Sequence, residues 1–145
     1  MIDLFSLTRE ALSTSYLMSL GIVDSEGPWV ADVIFVHDDE FNVYWMSRSN
    51  RRHSLAIASN PNVAAAITAT MKPGDPDSGV QMSGKAEMID SVPREIALKY
   101  FRKRNKSEPA EDFVVLDEHN WYVLRPSRIE LIDETHFGYD RQKVR

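Results

Sequence analysis

Residues 42–60, NVYWMSRSNRRHSLAIASN, decide how the chain is read. The stretch opens as an apolar strand over residues 43–46. It closes as a short amphipathic segment whose Leu55, Ala56 and Ile57 suit inward packing. Between the two lie Ser47, Arg48, Ser49, Asn50, Arg51, Arg52 and His53, a hydroxyl-rich turn with three arginines and a histidine where a helix should begin. Helix N-termini leave several N–H groups unpaired and carry partial positive charge, so they favour anions. Arginine adds planar donor forks that match phosphate oxygens in pairs. These residues read as a phosphate cradle for a cofactor, or equally as a solvated basic loop on an ordinary helix. The surroundings choose between the two.

On the N-terminal side, Leu4, Leu7, Ala11 and Leu12 recur at helical spacing, with Ser6 or Thr8 able to cap. A strand carrying Tyr16, Met18, Leu20 and Ile22 follows and stops at the turn DSEGP, residues 24–28. The run Val33, Ile34, Phe35, Val36 suits a strand buried on both faces. The polar turn Asp38-Asp39-Glu40 then predicts a hairpin into the strand of residues 41–46.

On the C-terminal side, Asn60-Pro61-Asn62 ends the short helix and launches VAAAITAT, whose small side chains suit close approach by a ring or a second subunit, or tight packing. After the loop KPGDPDSG comes an alternating strand, with Gln81, Ser83 and Lys85 facing away from Val80, Met82 and Gly84. Gly84 marks a bulge or a barrel corner. Pro93 starts a helix running to about Arg104, with Ile96, Ala97, Tyr100 and Phe101 on one face. Its basic end, Lys99, Arg102, Lys103, Arg104 and Lys106, suits the negative helix C-terminus better than an anion site. WYVLRPSRIELID closes the fold as two strands or one bent at Pro126. The expected fold class is mainly β with α: a six- to seven-stranded antiparallel barrel with flanking helices, one domain over residues 1–145.

Composition narrows the function. A net charge of −5 argues against nucleic-acid or anionic-membrane partners. The absence of cysteine removes disulfides, thiolate metal sites and cysteine nucleophiles together. The first residues lack a basic leader before an apolar run, and no apolar stretch nears the roughly 20 residues of a membrane span, so a cytoplasmic protein is expected. No spacing sets two of the four histidines on one helical face, and neither acidic turn has a calcium-loop pattern, so no metal site is expected.

The order of these pieces resembles the FMN-binding split barrel, the pyridoxamine 5′-phosphate oxidase-like superfamily. In that family a strand ends in an aromatic and a hydroxyl residue, a basic pair follows six residues later, and Asn-Pro restarts the next strand. Here Trp45-Met46-Ser47, Arg52-His53 and Asn60-Pro61 stand in those places. The family's later pattern stands as VQMSGKAE, residues 80–87, and its closing aromatic strand spans residues 121–133. The ending Phe137-Gly138-Tyr139 resembles a small bacterial branch in which the basic pair is Arg-His.

The resemblance implies a homodimer with two cofactor sites at the subunit interface, each built from both chains. FMN is the expected cofactor, with another flavin, a deazaflavin or haem as alternatives. It implies that Ser47, Ser49, Arg51, Arg52 and His53 hold the phosphate and that the backbone at Trp45 and Met46 runs beside the ring. Gln81 would reach the ring or ribityl chain, and Tyr139, Phe137 or Trp121 would form a lid from the partner chain. The implied activity is an oxidoreductase acting on a small molecule, or else a flavin- or haem-binding module without turnover. No dedicated catalytic side chain emerges. The oxidase's arginine and lysine on the second strand have no counterpart at residues 31–36, and its C-terminal substrate segment is lacking, which argues against pyridoxamine phosphate as substrate.

Overall fold

The computed structural model describes residues 2–145. Asp3 caps the first helix, α1 (Leu4–Thr14), by accepting from the Phe5 N–H at 3.0 Å; the expected caps Ser6 and Thr8 lie inside the helix. The strands β1 (Leu17–Asp24) and β2 (Gly27–Ile34) form a hairpin, and a single residue, Phe35, separates β2 from the two-residue β3 (Val36–His37). Next come β4 (Val43–Ser47), α2 (Arg52–Ser59), β5 (Asn62–Thr68), β6 (Ser78–Ile89) and α3 (Arg94–Lys103). One long strand, β7 (Asn120–Asp133), a single turn α4 (Glu134–Phe137) and a short β8 (Gln142–Lys143) finish the chain.

Every pairing is antiparallel, in the order β2-β1-β5-β6-β7-β4-β3, with β8 added beside β7. The two ends of that path, β2 and β3, are consecutive in the chain. Phe35 therefore carries the backbone across the seam, and the curled sheet is a split barrel, one strand larger than expected. The apolar run around it is covered on both faces, as expected: Val33 and Phe35 enter the barrel, while Val36 and the half-buried Ile34 pack on the α3 side. Residues 134–145, unassigned from sequence, supply α4 and β8.

Two cores share the sheet. Met18, Leu20, Ile22, Ala65, Met82 and Leu131 fill the barrel, while α3 lays Ile96, Ala97, Tyr100 and Phe101 on its outside. β4 lies between these cores, so all five of its residues are buried. Val43 and Trp45 point into the barrel, and Tyr44 and Met46 point toward α3. The hairpin before it is tied by the Asp38 carboxylate, which accepts from the Glu40 and Asn42 N–H groups at 2.9 Å each and from the Tyr44 hydroxyl at 3.1 Å. The register of β6 on β7 shifts between Ser83 and Gly84, the bulge that Gly84 marked.

Candidate functional site

β4 runs out at Ser47, and a turn held by the Arg51 N–H on the Arg48 carbonyl (3.2 Å) leads into α2. Arg51 is the N-cap residue of that helix but makes no side-chain capping bond. The first N–H groups of α2 therefore lack the side-chain acceptor that usually closes a helix start. His53 Nε2 and Ser47 Oγ lie 2.9 Å apart, which ties the first turn of α2 back to the end of β4.

A cleft of about 390 Å³ opens against this corner. Met46, Ser47, Arg48, Arg51 and His53 form one wall, and the beginning of β1 and the end of β2 form another, with Leu17, Asp32 and Ile34. Arg104 reaches in from the end of α3, and His119 from the loop before β7. Among the described residues no carboxylate pairs with Arg48, Arg51 or Arg104. Three guanidinium groups without acidic partners beside an uncapped helix start make the corner strongly anion-attracting. Asp32 is its one acid, and it already accepts from Ser19 Oγ at 2.6 Å.

Of the residues expected in the cradle, the structure brings Met46, Ser47, Arg51 and His53 together. Arg52 sits elsewhere: its Nε and one terminal nitrogen donate to the two Asp24 oxygens at 2.8 and 3.0 Å, and its guanidinium lies 4.4 Å from the centre of the Trp29 ring. That fork is already taken. Trp45 stacks on Tyr122 inside the barrel, ring centres 5.7 Å apart, and does not line the cleft. The Met46 N–H, expected to face a ring, donates to the Tyr100 hydroxyl at 3.3 Å. Ser49 lines a separate hollow between α2 and β6. Trp121 lies under α3 with its ring centre 5.1 Å from that of Tyr100, and it is core rather than lid.

Gln81 and Tyr139 line a larger groove, about 650 Å³, on the outer face of β1, β5 and β6. Leu17 and Asp32 border both hollows, so cleft and groove adjoin. Tyr139 is 85% exposed at the groove's rim. Arg48, Arg104, His119 and Asp32 also line the cleft, and the sequence did not single them out. Arg48 stood inside the quoted turn, but nothing in the sequence links Arg104, past the end of a distant helix, to that turn.

Burial pushes the pKa of His53 down, and Arg51 adds to the effect; burial does the same to His37. A histidine that binds its proton less readily when folded stabilises the fold above its unfolded pKa of about 6.5. That stability is lost as pH falls through the lower, folded pKa. Urea midpoints should therefore decline between pH 7.5 and pH 5, and the slope should flatten in the His53→Asn variant. An unchanged slope would remove His53 as a contributor.

No protein-family model and no curated protein sequence matches the chain. Solved structures do. A putative pyridoxamine 5′-phosphate oxidase from Listeria innocua aligns over 90% of this chain and 98% of its own, at 18% identity and a TM-score of 0.69. General stress protein 26 from Bacillus anthracis aligns over 99% and 100%, at 16% identity and a TM-score of 0.69. The fold is the pyridoxamine 5′-phosphate oxidase-like split barrel. A heme binding protein from Mycobacterium smegmatis shares this barrel over 99% of the present chain and 59% of its own, at 17% identity and a TM-score of 0.70. Among the described residues of this split barrel, no helix is long and apolar enough to cross a membrane.

Proposed function

We propose that the cleft at the start of α2 binds the phosphate of a flavin mononucleotide, whose ring lies along the adjoining groove, and that the protein is an oxidoreductase acting on a small molecule. The observation that carries this reading is the convergence of Arg48, Arg51 and Arg104, none with a carboxylate partner, on an uncapped helix start. The donor set fits a phosphate dianion, and the apolar Leu17 and Ile34 beside it fit a ring. Asp32 would accept from a ring N–H. A bound flavin supplies the electron transfer; the chain supplies binding, orientation and the surrounding charge. Neighbours named for pyridoxamine phosphate oxidation and for heme binding agree with a cofactor of this general kind.

The groove supports a second part of the proposal, that two copies associate over it. The outer face of β1, β5 and β6 carries small side chains, with Gly21 beside Ala64 and Ser19 beside Ala66 in register, and Leu17, Val23 and Val30 exposed around it. Pairing would cover the ring that a single copy leaves open. Light scattering should give twice 16.6 kDa at micromolar concentration. A single-chain mass there would refute this part.

Haem is the second reading, favoured by one observation. His119 Nδ1 lies 2.6 Å from the Leu116 carbonyl and 3.1 Å from that of Asp117, which places the proton on Nδ1 and leaves Nε2 as the ligating nitrogen. Absorption spectra after addition of FMN or of haem separate the two. Flavin quenching that saturates supports the first reading. A Soret band that His119→Ala abolishes, with no response to FMN, would replace it.

A further inference from the structure

Arg102 and Lys103 stand in the last turn of α3, as expected, but two lysines of this helix also bond away from it. Lys99 Nζ donates to the His37 carbonyl at 3.0 Å, and Lys103 Nζ donates to the Ser15 and Phe35 carbonyls. Both lysines line a cavity of about 340 Å³, on a different side of α3 from Arg104 and the cofactor cleft. Leu12, Phe35 and Val36 contribute its apolar surface, and Ser13, His37 and Arg102 complete its rim.

The charges around this cavity do not balance. No carboxylate pairs with Lys99 or Lys103 among the described residues. Glu95, four residues before Lys99 on α3, forms no ion pair with it, and Asp38, next to His37, spends its carboxylate on Glu40, Asn42 and Tyr44 of its own turn. Arg102 has its own partner, Glu108, at 3.5 Å. The imidazole of His37 cannot compensate. Its Nδ1 donates to the Asp38 carbonyl at 3.0 Å, and in the neutral ring Nε2 accepts from the Ser13 hydroxyl at 3.2 Å. Burial and the two lysines keep it so.

An ammonium group has three donors. Lys103 uses two of them and Lys99 one, which leaves N–H groups of both for a further acceptor. Lys103 also sits 3.9 Å over the Phe35 ring, in surroundings that push its pKa down to about 8. Two cations gathered without a paired carboxylate, in a chain of net charge −5, leave a positive local potential that a bound anion would lower.

We infer that this cavity is a second binding site, for a small organic carboxylate whose charged end meets Lys99 and Lys103 and whose apolar body lies on Leu12, Phe35 and Val36. It is independent of the flavin reading, because it shares no residue with the cofactor cleft.

Benzoate, with benzamide as its uncharged isostere, tests the site on the full chain by nuclear magnetic resonance. Benzoate should shift the His37 ring protons and the amides of residues 12–15 and 35–37 saturably, while benzamide leaves them unmoved. Lys99 is exposed, so Lys99→Gln should keep the fold and weaken benzoate about tenfold, the loss of one charge-assisted hydrogen bond. FMN titrations should be the same for that variant and the parent. Equal binding of benzoate and benzamide, an undiminished affinity in Lys99→Gln, or shifts confined to Arg48, Arg51 and Arg104 would each overturn the proposal. Inorganic phosphate binding as well as benzoate would overturn the role given to the apolar surface.

Discussion

Gly84→Ala is expected to cost about 3 kcal/mol of stability, the upper end for forced overpacking. A Cβ at that position would stand 2.2 Å from the Arg125 carbonyl oxygen, 2.7 Å from the Pro126 Cα and 2.9 Å from the Arg125 carbonyl carbon. All three atoms are backbone, so no side chain can swing aside. Gly84 sits where β6 shifts register against β7, and moving it outward would unpair residues 85–89 from the strand that carries Trp121 and Tyr122. Both cores would feel that change, because Trp121 belongs to one and Tyr122 to the other. Gly21→Ala is the control: its Cβ meets only the Ala64 carbonyl oxygen at 3.5 Å, an ordinary contact. Urea unfolding at matched protein concentration should separate the two widely. If Gly84→Ala unfolds within 0.5 kcal/mol of the parent, roughly the spread of surface substitutions, the close approach is not what holds the bulge.

Arg51→Ala and Arg104→Ala should each weaken FMN by roughly tenfold, about 1.5 kcal/mol for a charge-assisted hydrogen bond, and the double variant by more than either alone. Arg52→Ala should behave in the opposite way. Its guanidinium holds the Asp24 carboxyl below the usual carboxylate range, and the pair ties α2 to the turn between β1 and β2. Losing it should lower the melting temperature and leave FMN affinity nearly unchanged. Because the folded pKa of Asp24 is depressed, the pair's contribution is present above the unfolded value near 3.8 and disappears as pH falls through the folded one. The destabilisation should therefore shrink in strong acid. Fluorescence titration and thermal melts on the three single variants decide the matter. Should Arg52→Ala abolish FMN binding while melting like the parent, the assignment of phosphate ligands would have to be exchanged.

The two arginines show where reading the sequence stops. Residues 51 and 52 are adjacent, equally basic and equally compatible with a phosphate. Only the folded hairpin of β1 and β2 brings Asp24 to one of them and leaves the other facing the cleft. Trp45 makes the same point: an aromatic at a strand end is open to the barrel or to a ligand, and its stacking on Tyr122 follows from the β4–β7 register. Arg104 lines the cleft because α3 packs on the outside of β4, where Met46 and Tyr100, 54 positions apart, hydrogen-bond.

Local chemistry carried the rest. Apolar runs, alternation and turn residues placed the strands from β4 to β6, Pro93 the start of α3, and Gly84 the bulge, because each expresses a constraint that acts within a few residues. That β7 is one strand and not two came from its pairing with β6 and β4. The quoted turn was legible as anion-attracting for the same reason. Which of its cations remain free, where Gln81 and Tyr139 lie, and that Lys99 and Lys103 gather around a second cavity were decided by tertiary structure alone. Charges find their partners across space, and spacing along the chain does not record that distance.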